Sequence, residues 1–329
     1  MKNIVFGIFA LLACCTVASA DVYDSFFNWT IQYNKNYINT NEQFSRFNAF
    51  KSNYALVRHL NRQSKLCSFE LNKFADLTQE EFASKYLSLI PIGKVSHRYS
   101  IPYNKDFKYP DSKNWVNDGA VSKVKNQANC GSCWAFSATG AMEGAWFVTH
   151  KKLPLISEQQ LVDCDKECMN YPGTTQKVCD EGCNGGLMPN AFTYAIKNGM
   201  ETEDDYPYKG VDQTCKYDKS KVKYHFSKWT MIDDNEDAMV AALNTKGPLS
   251  VGVDATYWSF YSKGIYDSSC SSSRMNHGVL LVGYGVEGNT KYWIIKNSWD
   301  TTWGESGYIR LIRGKNKCGV NNFVCTIIA

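Results

Sequence analysis

The sequence predicts an α+β protein: a helix-rich half precedes a strand-rich half, and a separate helical segment comes before both. Three observations predict it. Residues from about 109 to 215 read as helices joined by cysteine-bearing loops. From about Gly247 onward, "PLSVGVDA", "HGVLLVGYG", "KYWIIKNSW" and "SGYIRLIR" are short β-branched and aromatic runs of the strand type. From Val22 to about Leu89 the chain is polar, aromatic-rich and helical in pattern, with one cysteine, Cys67. Helices and strands gathered into separate blocks point to α+β rather than to alternating βαβ units.

The chain opens "MKNIVFGIFALLACCTVASA", with a lysine before an apolar run and Ala18-Ser19-Ala20 as a small-x-small cleavage site. Residues 1–20 therefore read as a secretory signal peptide. The run is shorter than the roughly 20 apolar residues that span a bilayer, so no membrane anchor is expected. Export gives the 13 cysteines their meaning. Cys14 and Cys15 leave with the leader, and most of the others should be paired in an oxidising compartment. Asn28-Trp29-Thr30 is a glycosylation sequon. A net charge of +4, without basic runs or aromatic-basic interleaving, argues against nucleic acid. The chain of 329 residues is long enough for about two domains.

Near residue 90 the character changes. "SLIPIGKVSHRYSIPYNKDFKYPDSK" carries three prolines and little periodicity, as an extended linker does. Nearly all the remaining cysteines follow it. A helical piece, a strap and a disulfide-bonded body suggest a zymogen: a prosegment at 21–108, with its boundary at 106–110, and a mature body at 109–329.

Glu42, Arg46, Phe50, Asn53, Val57 and Asn61 recur at spacings of three and four and share one helix face. Glu42 and Arg46 are placed to pair along it. This face resembles the E-R-F-N-I-N signature in propeptides of papain-like proteases of the cathepsin L type, with Val57 in the isoleucine position. "ELNKFADLT" resembles the accompanying G-N-F-D motif, except that Glu70 replaces the glycine, which puts the local turn in question. The resemblance covers essentially the whole chain after the leader. It implies a two-lobed papain-like fold with a helical left lobe, a β-barrel-like right lobe, and a cleft between them.

"NQANCGSCWAF" poses the central chemical question, since Cys130 and Cys133 form a C-x-x-C. A redox pair would have no use for the residues described next. No second C-x-x-C accompanies the first, so neither a metal nor a cofactor is expected. "SCWAFSATGAMEGAWFVTHKK" reads as a helix with Ser132 at its N-cap and Cys133 in its first turn, where the helix dipole favours a thiolate. Lowering a thiol from about 8.5 to about 3.5, the range of papain-like cysteines, takes roughly 7 kcal/mol. The dipole gives about 1 kcal/mol of that. A close cation must supply the rest. His277 opens a strand-like run 144 residues after Cys133, and Asn297 ends another 164 residues after it. In papain-type proteases the two partners follow the cysteine by about 130–150 residues. Extra residues between Cys164 and Cys183 account for the overshoot of Asn297. The resemblance then implies Cys133 as nucleophile, His277 as its acid–base partner and Asn297 as the holder of the imidazole. It makes Gln127 the oxyanion-hole donor, with Trp299 covering the Asn–His hydrogen bond.

The same resemblance implies disulfides Cys130–Cys183, Cys164–Cys215 and Cys270–Cys318. Cys168 and Cys179, in a segment like an insertion, should pair with each other, leaving Cys325 over. Gly185 and Gly186 would lie along an extended substrate, and Met188, Gly252, Met275 and Phe323 would line the pocket for the second residue before the scissile bond. With no acidic residue at its base, that pocket should take Leu, Val or Phe and accept Arg poorly. Residues from about 91 to 108 should cross the cleft in reversed direction, and acid should release the prosegment as Glu42, Asp76 and their neighbours lose charge-assisted contacts. The expected partners are polypeptide substrates, the chain's own prosegment and cystatin-like inhibitors. The expected form is a monomer in the secretory pathway, a lysosome or other acidic vacuole, or the extracellular medium.

Overall fold

The computed structural model describes residues 21–90, 92, 107–171, 175 and 177–329. The expected leader and most of the proline-bearing linker lie outside the described residues.

The prosegment folds as α1 (21–32), α2 (Thr40–Gln63), β1 (Cys67–Phe69) and α3 (Gln79–Tyr86). Asn39 caps α2 by accepting the Glu42 N–H, and Thr78 with Glu81 forms a reciprocal capping box on α3. Phe50, Asn53 and Val57 are buried along α2. The amides on that face serve backbone groups: Asn53 Nδ2 donates to the carbonyls of Ala75 at 2.9 Å and Leu77 at 2.7 Å. Asn61 exchanges two 2.8 Å hydrogen bonds with the Phe69 backbone. A polar side chain on a packing face is stable when each of its groups finds a partner.

Two expectations for this segment are corrected. Arg46 does not pair with Glu42. It reaches Glu81 on α3 at 2.7 Å and the Asp76 carbonyl at 3.1 Å. Glu42 instead accepts the Ile38 N–H at 2.7 Å, closing the turn before the helix. Nor is the segment helical throughout. β1 pairs antiparallel with β7 (Tyr261–Tyr266) of the body, because a sheet edge offers unpaired backbone groups to any strand that reaches it. Glu70 needs no glycine conformation, since it is absent from the described residues with positive φ, and its N–H donates to the Phe260 carbonyl.

The body continues with β2 (Lys113–Asn114), α4 (Cys133–His150), α5 (Glu158–Cys164), a hairpin of β3 (Cys168–Asn170) and β4 (Lys177–Cys179), and α6 (Met188–Asn198). Then come β5 (Lys228–Met231), α7 (Glu236–Lys246), β6 (Leu249–Val253), β7, β8 (His277–Glu287), β9 (Thr290–Lys296), β10 (Tyr308–Ile312) and β11 (Val324–Ile328). The strands order as β1-β7-β10-β9-β8-β6-β11-β5, with β2 on β8. The two ends of this sheet, β1 and β5, do not pair with one another, so the sheet is open.

Helix α4 is buried on nearly every face and packs on β8, β11 and α6. Glycines let it approach: a Cβ on Gly140 would lie 2.7 Å from Leu280, and one on Gly144 2.5 Å from Pro248. Its N-terminus therefore ends at the boundary between the helical lobe and the sheet, where β8 begins.

Candidate active site

At that boundary the N-terminus of α4 meets the first residue of β8 and the residue after β9. Cys133, His277, Gln127 and Trp299 are buried completely and Asn297 nearly so. Asn297 Oδ1 accepts from the Ser298 N–H at 2.8 Å and lies 2.8 Å from His277 Nε2. Because the Ser298 amide can only donate, that Asn297 atom is the acceptor oxygen, and Nε2 must carry the hydrogen. The proton that can move is therefore the one on Nδ1, which has no other hydrogen-bond partner.

The Cys133 sulfur accepts from the Gly278 N–H at 3.4 Å and lies 3.6 Å from the Ser88 hydroxyl of the prosegment. Burial raises the thiol, while the charge of His277 and these hydrogen bonds draw it down, to about 7 in all. That is well above the papain-like range expected from the sequence. Burial is the largest influence and opposes the charged form. Ser132 occupies the N-cap position, but its hydroxyl does not cap α4. It bonds the Tyr208 hydroxyl at 2.6 Å instead.

Gln127 is held at both ends. Its Oε1 accepts from Ser298 Oγ at 2.7 Å and Trp299 Nε1 at 3.1 Å, which fixes the amide orientation. Nε2 is thereby aimed at the Cys130 carbonyl at 3.0 Å and, more weakly, at the Tyr86 carbonyl of the prosegment at 3.5 Å. The Trp299 ring stacks on His277 with centroids 4.7 Å apart. Phe74, Phe82 and Tyr86 of the prosegment pack edge-on against that indole.

Cys130 is bonded to Cys183, which rules out a Cys130–Cys133 redox pair in this state. Cys164–Cys215, Cys168–Cys179 and Cys270–Cys318 complete the set. Cys67, Cys133 and Cys325 are the free thiols among the described residues.

The prosegment is already in the cleft by Ser88, while residues 91 and 93–106 of the expected crossing lie outside the described residues. Helix α3 ends at Tyr86, and Ser88, two residues on, is already at the sulfur. The Leu89 N–H donates to the Asn276 carbonyl at 3.1 Å, and Leu89 bridges Gly186 in parallel. A Cβ on Gly185 would stand 2.3 Å from the Ser88 carbonyl, so only glycine admits this approach. A Cβ on Gly252 would lie 3.0 Å from both Leu89 Cδ2 and Met275 Sδ and 3.3 Å from Phe323. The prosegment thus puts a leucine among Gly252, Met275 and Phe323. Met188 lies deeper, with its sulfur 3.3 Å from a Cβ built on Gly278. Sequence reasoning missed Ser298, Ser88, Leu89 and the Tyr86 carbonyl. Only the position of Ser298, between Asn297 and Trp299, gave any signal.

A thiol, an imidazole oriented by an amide, and a prosegment laid across both define an inhibited thiol hydrolase. The chain belongs to the papain family of cysteine proteases, whose model matches residues 109–328, and it carries a cathepsin propeptide inhibitor domain over residues 26–82. It is 41% identical over 338 residues to Cysteine proteinase 1 of Dictyostelium discoideum, covering 98% of each chain. It is 39% identical to a cathepsin L-like proteinase of Fasciola hepatica, with 95% of each covered. Its structure superposes on digestive procathepsin L2 of Tenebrio molitor larval midgut with a TM-score of 0.82 at 33% identity, covering 94% of this chain and all of that one.

Proposed function

We propose that the protein is a secreted or lysosomal cysteine endopeptidase, made as an acid-activated zymogen, whose nucleophile is Cys133. The observation that carries this reading is the His277 imidazole beside the Cys133 thiol, with Nε2 fixed as donor to Asn297 so that Nδ1 is the nitrogen open to the reaction. The Cys133 thiolate attacks the peptide carbonyl and forms a C–S bond. Gln127 Nε2 and the Cys133 N–H stabilise the oxyanion, each donor being worth about 3 kcal/mol. His277 gives its Nδ1 proton to the amine as the C–N bond breaks. It then takes a proton from the water that hydrolyses the thioester, and the thiol leaves.

Specificity follows from the pocket that Leu89 occupies. Its walls of Met188, Gly252, Met275 and Phe323 are apolar, which supports a preference for Leu, Val or Phe over Arg. Gly185 and Gly186 hold the extended substrate. Removal of the prosegment near Phe107 to Pro110 would free the body from residue 109. Acid release is supported by the Arg46–Glu81 ion pair at 2.7 Å inside the prosegment, whose carboxylate is held below its usual range and would be lost on protonation. Four disulfides accord with the secretory route. Asn28 is exposed, as glycosylation requires.

A fluorogenic peptide panel on the matured protein, from about pH 4 to about pH 8, with and without reductant, tests the reading. Cleavage should vanish in Cys133→Ala, and Leu should be taken well ahead of Arg in the second position. Equal cleavage of the two would refute the specificity, and activity surviving without Cys133 would refute the mechanism. For release, the Cys133→Ala zymogen should hold its prosegment far less tightly at about pH 4 than at about pH 7.

A further inference from the structure

Beneath the Gly185–Gly186 edge lie two buried carboxyls that the mechanism does not use. Asp165 follows α5, and Asp180 follows β4 of the Cys168–Cys179 hairpin. Both are almost wholly inaccessible. Asp180 Oδ1 accepts the Leu187 N–H at 2.8 Å and Asn190 Nδ2 at 3.0 Å, and so holds the residue after the two glycines and the first turn of α6. Asp165 Oδ1 accepts the Glu167 N–H at 2.8 Å. The remaining oxygen of each, Oδ2, is buried without a hydrogen-bond partner, and the two side chains face one another. Two facing carboxyls can bond one another only with a proton between them.

We propose that Asp165 and Asp180 share one buried proton, and that this pair positions the Gly185–Leu187 edge for an extended peptide. The inference rests on reading that edge as a substrate site. A Cβ on Gly186 would fall 2.6 Å from the Trp134 ring and 2.8 Å from Asp180 Oδ1, so the glycine is clamped between indole and carboxyl. Prosegment residues Leu89 and Ile90 already lie extended along it. Asp165 and Asp180 are positioning residues, since neither touches the prosegment that occupies the cleft.

Hydrogen bonds serve Oδ1 of each aspartate, so among the described residues it is the two Oδ2 atoms that are left for a proton. The charged and titratable groups facing the pair are Glu167 and Lys166 at the start of the hairpin, the Tyr171 hydroxyl within it and the Tyr194 hydroxyl on α6. Glu167 is engaged with Lys197 at 2.7 Å. Among the described residues no Lys, Arg or His lies within ion-pair distance of either aspartate. Burial pushes both carboxyls up, Asp165 to about 6, and Asp180 is raised further by the charge beside it. The sign follows from the raised values. The native edge is fully stabilised in acid and loses that support as pH rises through the values of the pair.

Ionisation of both carboxyls would drive them apart, pull Asp180 away from Leu187 and loosen the edge while leaving Cys133 and His277 in place. The effect belongs in KM. In the mature enzyme KM for a peptide substrate should rise about fivefold or more from about pH 5 to about pH 8. Asp180→Asn keeps the Oδ1 acceptor and supplies an N–H where the proton was. Its KM should match wild type in acid and stay within about twofold across the range. Asp165→Asn, with the reciprocal exchange, should behave alike and serves if the first variant does not fold. A wild-type KM that is flat with pH, or asparagine variants that follow the wild-type rise, would overturn the proposal. Infrared spectroscopy of the Cys133→Ala zymogen reads the proton without any turnover. A protonated-carboxyl band should titrate away as pH rises, and be missing after either asparagine substitution. Lack of that band defeats the shared proton. Absence of any peptide cleavage by the wild type would instead defeat the protease reading and leave the band to decide the pair.

Discussion

Leu89 of the prosegment donates its backbone N–H to the carbonyl of Asn276, the residue before His277, and sends its side chain to within 3.0 Å of where a Cβ on Gly252 would stand. One prosegment residue thus anchors to the imidazole-bearing strand and plugs the apolar pocket beside it. Full burial of a leucine side chain is worth about 1.5–3 kcal/mol. Leu89→Ala should therefore weaken the plug by roughly 10- to 100-fold. The rate of Cys133 alkylation in the intact zymogen checks this, and an unchanged rate would contradict it.

Gly252 sets the depth of that pocket. An alanine there would crowd Met275 and Phe323 at 3.0–3.3 Å, tighter than ordinary contact. Gly252→Ala should lower kcat/KM for Phe or Leu in the second position by about tenfold while sparing Val, since overpacking costs about 1–3 kcal/mol. The ratio of the three substrates is the measurement.

Gln127 is oriented by Ser298 and Trp299. Gln127→Ala should cost about 10²–10³ in kcat with little change in KM. Trp299→Phe removes one of the two donors to Oε1 and should cost about tenfold through misorientation of the amide, roughly one hydrogen bond's worth.

The thiol should titrate differently before and after processing. In the zymogen it stands at about 7, with burial as the raising influence and His277 as the lowering one. Withdrawing Tyr86 to Ile90 readmits water and leaves the imidazolium, so the alkylation profile of the mature enzyme should move to lower pH. A profile that stays put would mean that the prosegment does not control the sulfur's ionisation.

The Arg46–Glu81 pair should set part of the acid sensitivity. Burial is the largest single influence on the Glu81 carboxyl and raises it, but the Thr78 N–H and Arg46 together outweigh it and hold the carboxyl below its usual range. A depressed carboxyl stabilises the fold above its unfolded value, about 4.3, and that support is lost as pH falls through the folded value. Glu81→Gln should loosen the prosegment at neutral pH and raise the pH at which processing begins, as followed by gel mobility over a pH series.

The sequence by itself determined the α+β class, the helix face of Phe50, Asn53 and Val57, the helix that starts at Cys133 and the strands that open at His277 and close before Asn297. Helical and strand periodicities are local, and the cysteine motif is contiguous, so both are written in the order of the chain. The tertiary structure alone decided that Arg46 takes Glu81 rather than Glu42, that β1 joins the body's sheet, and that Tyr86 to Ile90 lie in the cleft. It also decided that Asp165 and Asp180 are buried side by side. Each of these depends on which distant groups burial brings together, because desolvation, not spacing along the chain, chooses a charged or hydrogen-bonding partner.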